Sequence, residues 1–174
     1  MAIVPDTNDW TWVLERPCPE CGFDATTFPV EQTGAMLRGN AEQWRVVLAG
    51  EPDAVRRRPD DSTWSPLEYG CHVRDVCVLY ERRLGWMLEQ DDPLFPNWDQ
   101  DATAVEERYG EQDPATVSTE LAAAAESLAA RFDAVAADQW QRAGRRSDGA
   151  SFTVESFARY FIHDPVHHLR DAGG

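Results

Sequence analysis

Apolar residues recur at intervals of three or four along four long segments of the chain, and this spacing predicts four amphipathic helices. The predicted helices cover about residues 29–49, 65–89, 113–137 and a last segment that begins at Thr153. No segment shows a convincing alternation of apolar and polar residues, so no strand is predicted. The expected fold class is all-α, a four-helix bundle.

Two of these helices have clear start signals. Ser65 and Glu68 flank Pro66 in the pattern of a capping box, in which the serine and the glutamate satisfy backbone amides at the start of a helix. Asp113 precedes Pro114 in the same way, as an N-cap followed by a proline in the first turn.

Residues 91–112 predict a long, partly irregular connection between the second and third helices, which implies a crossover topology. Its aromatic content argues against disorder, and Phe95 and Trp98 are the expected packing anchors. Tyr109 alternatively belongs to a short helix that starts near Thr103.

Composition narrows the range of functions. The chain has 174 residues, enough for one domain with a core, and a formal net charge of −15. A surface this acidic argues against binding nucleic acid or an anionic membrane. All 16 basic residues are arginine, which indicates a high-GC genome. No apolar run is long enough to span a membrane and residues 1–6 lack the features of a signal peptide, so we expect a cytoplasmic protein.

Three of the four histidines lie within six residues near the end of the chain. In a helix His163 and His167 are one turn apart on one face, which Tyr160 and Asp171 extend, and two such imidazoles can chelate a metal ion. With His72 as third ligand they would form a site with open positions, as catalytic sites have. The alternative is that the pair lines a solvated helix face and His72 hydrogen-bonds in the core.

Cys18 and Cys21 form a CPxCG turn like half of a zinc ribbon. The only other cysteines, Cys71 and Cys77, are six residues apart on a predicted helix and diverge by about 240°, so both cannot complete one site. The predicted organisation is an N-terminal arm, residues 1–28, that packs over the bundle, residues 29–174. The cysteines then form a redox dithiol, a pair of thiols that meet substrate near the metal, or simply a tight turn in the arm. We favour the packed turn.

Two segments together resemble a known family. The pattern WSPxEYxxHVxD at residues 64–75 and HDxxHH at residues 163–168 is similar to the DinB/YfiT-like superfamily of bacterial metalloenzymes, here of actinobacterial type. The resemblance implies a four-helix bundle whose metal is held by His72, His163 and His167. Pro165 departs from a regular helix between the paired ligands, because it removes a hydrogen bond and predicts a kink.

The resemblance also implies a reaction. It points to a divalent metal, zinc or nickel first, and to a transferase that moves a low-molecular-weight thiol onto an electrophilic small molecule, or to a thiol-assisted isomerase. In an actinobacterium the thiol would be mycothiol. By their spacing, Asp171 and Asp75 lie about one turn after His167 and His72 and are candidates to orient these ligands, Asp171 first; the alternative is that either is an ordinary surface charge.

Other roles remain open for the same residues. Trp98, Asp99 and Tyr160 are candidate pocket residues, although for the first two we favour a role in capping the bundle end. The alternative function is a non-catalytic bundle that binds a small molecule or another subunit around a structural metal. A zinc peptidase is strongly disfavoured, because its motif needs HExxH and here the shorter Asp164 takes the place of the glutamate and Pro165 breaks the helix. The expected partner is a small-molecule substrate, and a homodimer is compatible with the sequence.

Overall fold

Helices make up most of the structure, a computed structural model that describes residues 9–174. The α-helices are α1 (Thr33–Leu48), α2 (Pro52–Arg56), α3 (Pro66–Glu89), α4 (Gln100–Glu106), α5 (Pro114–Asp133) and α6 (Val154–Asp171). Single 3-10 segments cover Trp10–Leu14, Val30–Gln32 and Tyr109–Glu111. The long helices α1, α3, α5 and α6 are those that the apolar spacing predicts. The prediction of no signal peptide and the start of the predicted arm fall on residues 1–8, outside the described residues.

The four long helices form a ring in which each packs against two others. Helix α5 packs against α1 and α3, and α6 packs against the same two helices from the other side. The core between them is apolar and includes Trp44, Leu84, Leu128 and Phe161, all essentially inaccessible to solvent. Burial of these faces is the main source of stability for helices of this length.

The helix starts follow the predicted chemistry. Ser65 and Glu68 make the reciprocal bonds of a capping box at the start of α3, and the Asp113 side chain accepts from the backbone amide of Thr116 in α5. Thr153 and Ser156 form a second box at the start of α6. Because each cap satisfies amides that the helix itself leaves free, these residues fix where the helices begin.

The prediction that no strand is present is wrong for a small part of the chain. Strands β1 (Leu94–Phe95), β2 (Ala143–Arg146) and β3 (Ser151–Thr153) form one sheet, parallel between β1 and β2 and antiparallel between β2 and β3. The strands are two to four residues long, too short for an alternation to be recognised in the sequence. The fold is therefore mostly helical with a three-stranded sheet at one end of the crossover.

The crossover between α3 and α5 is more ordered than its sequence predicts. It contains β1, α4 and the 3-10 turn that includes Tyr109, and α4 begins at Gln100 rather than near Thr103. Phe95 is fully buried and Trp98 packs partly buried against the core, as expected of anchors. The Trp98 indole donates to the hydroxyl of Thr103 at 2.8 Å, which ties the loop to α4.

The described part of the arm, residues 9–28, lies against α6. Its 3-10 segment contacts that helix and buries Val13 completely. Helix α6 itself continues through Pro165, and Asn40 of α1 donates to the Pro165 carbonyl oxygen at 2.9 Å. Within residues 9–174, no helix combines the length and the hydropathy that crossing a membrane requires.

Candidate metal centre

Helix α6 carries two pairs of potential ligands that are offset by one residue. His163 and His167 are one pair, and Asp164 and His168 are the other. One residue turns a helix by about 100°, so the two pairs face different neighbours. Among the described residues, donor atoms within 4.8 Å of one another form two clusters. The arm cluster comprises Cys18, Cys21, His163 and His167, and the bundle cluster comprises His72, Asp164 and His168.

The bundle cluster joins α3 to α6. The Oδ2 atom of Asp164 lies 3.3 Å from Nε2 of His72 and 3.8 Å from Nε2 of His168. The two imidazole rings are 4.9 Å apart and nearly perpendicular. His72 is completely buried, whereas Asp164 and His168 are partly exposed. The three donors thus converge at the boundary between the core and an opening.

The polar atoms of the bundle cluster are incompletely satisfied. Nδ1 of His72 and Oδ1 of Asp164 are buried and have no hydrogen-bond partner within the described structure. Burial opposes ionisation of Asp164, but the imidazoles of His72 and His168 outweigh it and lower the pKa of this carboxyl to about 2. An ionised carboxylate between two imidazoles is a donor set that suits zinc, iron or nickel, so the residues fit a divalent ion.

The arm cluster joins the CPxCG turn to α6. The Cys18 sulfur lies 3.7 Å from Nδ1 of His167, and Nε2 of His163 is buried with no hydrogen-bond partner among the described residues. Burial, followed by the charge of His167, lowers the pKa of His163 to about 4, and burial raises the pKa of Cys21 to about 11. At neutral pH the metal-free cluster therefore holds a neutral imidazole at His163 and a protonated thiol at Cys21.

The structure brings two of the three sequence-predicted ligands together and separates the third. His163 and His167 share the arm cluster, while His72 belongs to the bundle cluster with two residues that the histidine spacing did not select. The sequence held the signal for those two, because Asp164 and His168 are also four residues apart. The sequence offers Cys18 and Cys21 no second cysteine pair. In the structure their partners are the two histidines of α6, His163 and His167.

The predicted supporting carboxylates have different surroundings. Asp171 lies 3.5 Å from Nε2 of His167 and 3.1 Å from Nδ1 of His168, so it touches one ligand of each cluster. Asp75 accepts from the Tyr109 hydroxyl at 2.5 Å and pairs with Arg74 at 2.8 Å. These contacts anchor the crossover to α3.

A cavity of about 130 Å³ is lined by Asp164 and His168 of the bundle cluster and by His163 and His167 of the arm cluster. Trp98 stacks on the His72 ring, with centroids 5.5 Å apart and planes 16° from parallel. Tyr160 also lines the cavity, and its hydroxyl accepts from Arg146 at 3.4 Å. Asp99 does not line this cavity; it is exposed, caps α4 and lies on a wider cleft outside.

The small cavity leads into that wider cleft of about 1010 Å³. The two spaces share Trp10, Trp98, Arg146 and Tyr160 among their lining residues. Arg83 adds a second guanidinium to the inner wall, where burial lowers its pKa. The charge of Arg146 is balanced by Asp148, whose carboxylate lies 2.8 Å from its Nε, and Arg83 donates to the Pro96 carbonyl oxygen at 2.7 Å.

The fold and the site define the class of protein: it is a helical bundle with nitrogen, oxygen and sulfur donors in clusters small enough to bind a metal ion. The chain belongs to the DinB superfamily, whose family model matches residues 31–172. The match covers the bundle cluster but stops short of Cys18 and Cys21. Among curated proteins none matches the chain.

A solved structure is similar over nearly the whole chain. It is YfiT from Bacillus subtilis, described as a probable metal-dependent hydrolase with an unusual four-helix bundle topology. The TM-score is 0.68 with 15% sequence identity, and the alignment covers 98% of this chain and 89% of that chain. At this identity the likeness establishes a shared fold.

Proposed function

We propose that the chain is a metal-dependent enzyme and that His72, Asp164 and His168 hold its catalytic ion. The observation that carries the proposal is the convergence of these three donors, two of which, Asp164 and His168, line a cavity. Two imidazoles and one carboxylate leave coordination positions free, as in catalytic rather than structural sites. A bound divalent ion would supply a Lewis acid that lowers the pKa of a coordinated water or thiol.

The residues around the cluster would position the reactants. Trp98 fixes the ring plane of His72 by stacking, and the Asp164 carboxylate holds the two imidazoles toward each other. Arg146 and Tyr160 line both the wide cleft and the small cavity and would hydrogen-bond a polar group of the substrate. The small cavity has room for the reacting atoms only, so the rest of a substrate would lie in the cleft.

The nucleophile that we propose is a low-molecular-weight thiol, such as mycothiol, transferred to an electrophilic carbon. A cleft of about 1010 Å³ can accommodate such a thiol with its sulfur at the inner cavity. The sulfur–carbon bond forms as the bond to the leaving group breaks, the leaving group takes the electron pair, and the thiol proton passes to solvent. In the isomerase alternative the thiol adds to a carbon–carbon double bond, the resulting single bond rotates, and elimination restores the double bond and releases the thiol with its proton.

Hydrolysis is the second candidate, since the fold of the chain is shared with YfiT, a probable metal-dependent hydrolase. Water would replace the thiol as nucleophile and the same residues would hold the ion. A non-catalytic bundle that binds a small molecule or another subunit is the remaining alternative, and it predicts metal content without turnover.

The test compares nucleophiles in one preparation. Protein loaded with zinc or nickel is assayed for loss of free thiol with several low-molecular-weight thiols and a generic electrophile, and in parallel for hydrolysis of chromogenic esters and amides. Thiol consumption that depends on metal supports transfer, ester or amide cleavage supports hydrolysis, and metal binding with neither supports the non-catalytic bundle.

The variant Asp164→Asn identifies the ligand set. Loss of groups that only support a metal ligand commonly costs 10- to 100-fold, so loss of a ligand should lower activity by roughly 100-fold or more. Glu155→Gln, on the same helix and remote from both clusters, is the matched control and should keep full activity. Full activity in Asp164→Asn together with loss in His163→Gln would instead favour His72, His163 and His167 as the ligands.

A further inference from the structure

We propose that the arm cluster is a second metal site, a structural zinc site with Cys18, Cys21, His163 and His167 as its four ligands. It would fasten the N-terminal arm to α6. The proposal does not depend on the proposed function, because the two clusters share no ligand and the family match excludes both cysteines.

The donor set is that of a closed zinc site. Two cysteines separated by two residues and two histidines separated by three give the Cys2His2 pattern, in which tetrahedral zinc has no open position. With Zn–S near 2.3 Å and Zn–N near 2.0 Å, sulfur and nitrogen ligands of one tetrahedron are about 3.6 Å apart. The Cys18 sulfur and His167 Nδ1 are 3.7 Å apart, and all four donors lie within 4.8 Å of one another.

The backbone around the cysteines holds both sulfurs on one side. The Cys18 amide donates to the Phe23 carbonyl at 2.9 Å, and the Gly22 amide donates to the Cys18 carbonyl at 2.8 Å. Gly22 has φ of +75°, a left-handed conformation that glycine adopts without strain. The turn is thus closed by its own hydrogen bonds before any metal is added.

The ring nitrogens of the two imidazoles in the arm cluster have the surroundings expected of metal ligands. Nε2 of His163 is buried without a partner in the described part of the chain, which is costly unless a ligand satisfies it. For His167 the Nε2 atom lies 3.5 Å from the carboxylates of Glu20 and Asp171, while Nδ1 faces Cys18. A carboxylate behind a histidine is the usual support for a metal-bound imidazole.

A disulfide and a redox dithiol each explain fewer of these contacts than a zinc site does. Both are free thiols in the structure, so a disulfide is not what holds the turn. A redox dithiol would need neither buried imidazole, yet both lie against the sulfurs. Trp10 packs on the rings of His163 and His167 at 5.6 and 5.1 Å and also lines the small cavity. Zinc in the arm cluster would therefore also fix one wall of that cavity.

Cobalt(II) uptake by the full chain provides the test. The protein is purified under reducing conditions, freed of metal and titrated with cobalt. We expect a thiolate-to-cobalt charge-transfer band together with the strong visible bands of a tetrahedral ion. The double variant Cys18→Ser/Cys21→Ser should lose the charge-transfer band, whereas Cys71→Ala, which removes a buried cysteine outside both clusters, and Asp164→Asn should keep it.

The proposal is overturned if the wild type takes up cobalt without a thiolate band, or if the double variant gives the same spectrum. Should the double variant fail to fold, wild-type protein answers the question by thiol alkylation mapped with mass spectrometry. Cys18 and Cys21 should be protected in the zinc-loaded protein and labelled several-fold faster after chelation. Equal labelling before and after chelation counts against the site.

Discussion

Glu68 serves two structural purposes at the first turn of α3. Its carboxylate accepts from the Ser65 backbone amide at 2.9 Å and from Nε and Nη2 of the Arg58 guanidinium. Only 9% of the Glu68 side chain is exposed, so the pair is shielded from water in a way that surface ion pairs are not. One residue thereby joins the start of a bundle helix to the loop before it.

We expect Glu68→Gln to lower the free energy of unfolding by about 1 to 3 kcal/mol at pH 7, because a charge-assisted bond is lost while the amide can still cap the helix. Burial opposes ionisation of Glu68, but Arg58 and Ser65 outweigh it and lower the pKa of this carboxyl. The contribution of Glu68 to stability is therefore present above its unfolded pKa near 4.5 and is lost as pH falls through the lower folded pKa. Urea unfolding at pH 7 and pH 3 measures this. A deficit of the variant that is as large at pH 3 as at pH 7 would contradict the ionic explanation.

At the scale of elements, a close contact between helices α1 and α5 depends on a glycine. Gly34 is buried in α1, where an added Cβ would overlap the Asp133 carboxylate and lie 3.0 Å from the Ala129 carbonyl oxygen of α5. Gly39, one and a half turns later in the same helix, is exposed with no heavy atom within 4 Å of its missing Cβ. The two glycines lie in the same helix and differ only in what surrounds them.

Gly34→Ala should destabilise the protein by about 1 to 3 kcal/mol, because α1 and α5 would have to separate. Gly39→Ala is its matched control and should stabilise by about 0.5 to 1 kcal/mol through helix propensity alone. Thermal and urea unfolding of the two variants beside the wild type gives both values. Equal shifts in the two variants would mean that the helix contact does not limit the size of residue 34.

The sequence allowed the long helices to be predicted because their caps and apolar faces are local properties. Ser65, Asp113 and Thr153 each start a helix as their side chains require. The end of α5 at Asp133, about four residues before the predicted end, had no such signal, since helix-forming alanines follow it. The sheet escaped prediction because β2 consists of Ala143–Arg146 and derives its order from pairing with β1 and β3.

Some residues of the two clusters were predictable from the sequence, but Asp164 and His168 were not selected and the grouping was not foreseen. The histidine pair of α6 and the cysteine turn were both recognisable patterns, yet spacing along one helix cannot say which neighbour each face meets. The 100° step between His167 and His168 assigns one to the arm and the other to α3. That assignment depends on how distant segments pack, which only the three-dimensional structure provides.

At the scale of the whole molecule, acid should destabilise the metal-free protein through its buried imidazoles. Burial lowers the pKa of His163 to about 4 and that of His167 below its usual value, so both bind protons more weakly when folded than when unfolded. Their contribution is therefore present above the unfolded value near 6.5 and is lost as pH falls below it. For His163 the loss between pH 7 and pH 5 amounts to about 2 kcal/mol.

Urea unfolding of the metal-free protein at pH 7 and pH 5 tests this, with His163→Gln as the comparison. The wild type should lose more stability than the variant over this interval. The same loss in both proteins would assign the acid sensitivity to other groups.

Cys18 and His167 touch although 149 residues separate them in the chain. At the usual pace of translation, about 5 to 20 residues per second, roughly 7 to 30 seconds pass between the synthesis of one and that of the other. Throughout that interval the nascent arm has no docking surface, and its two thiols are open to oxidants and to stray metals. Completion of the last helix is what ends this exposure.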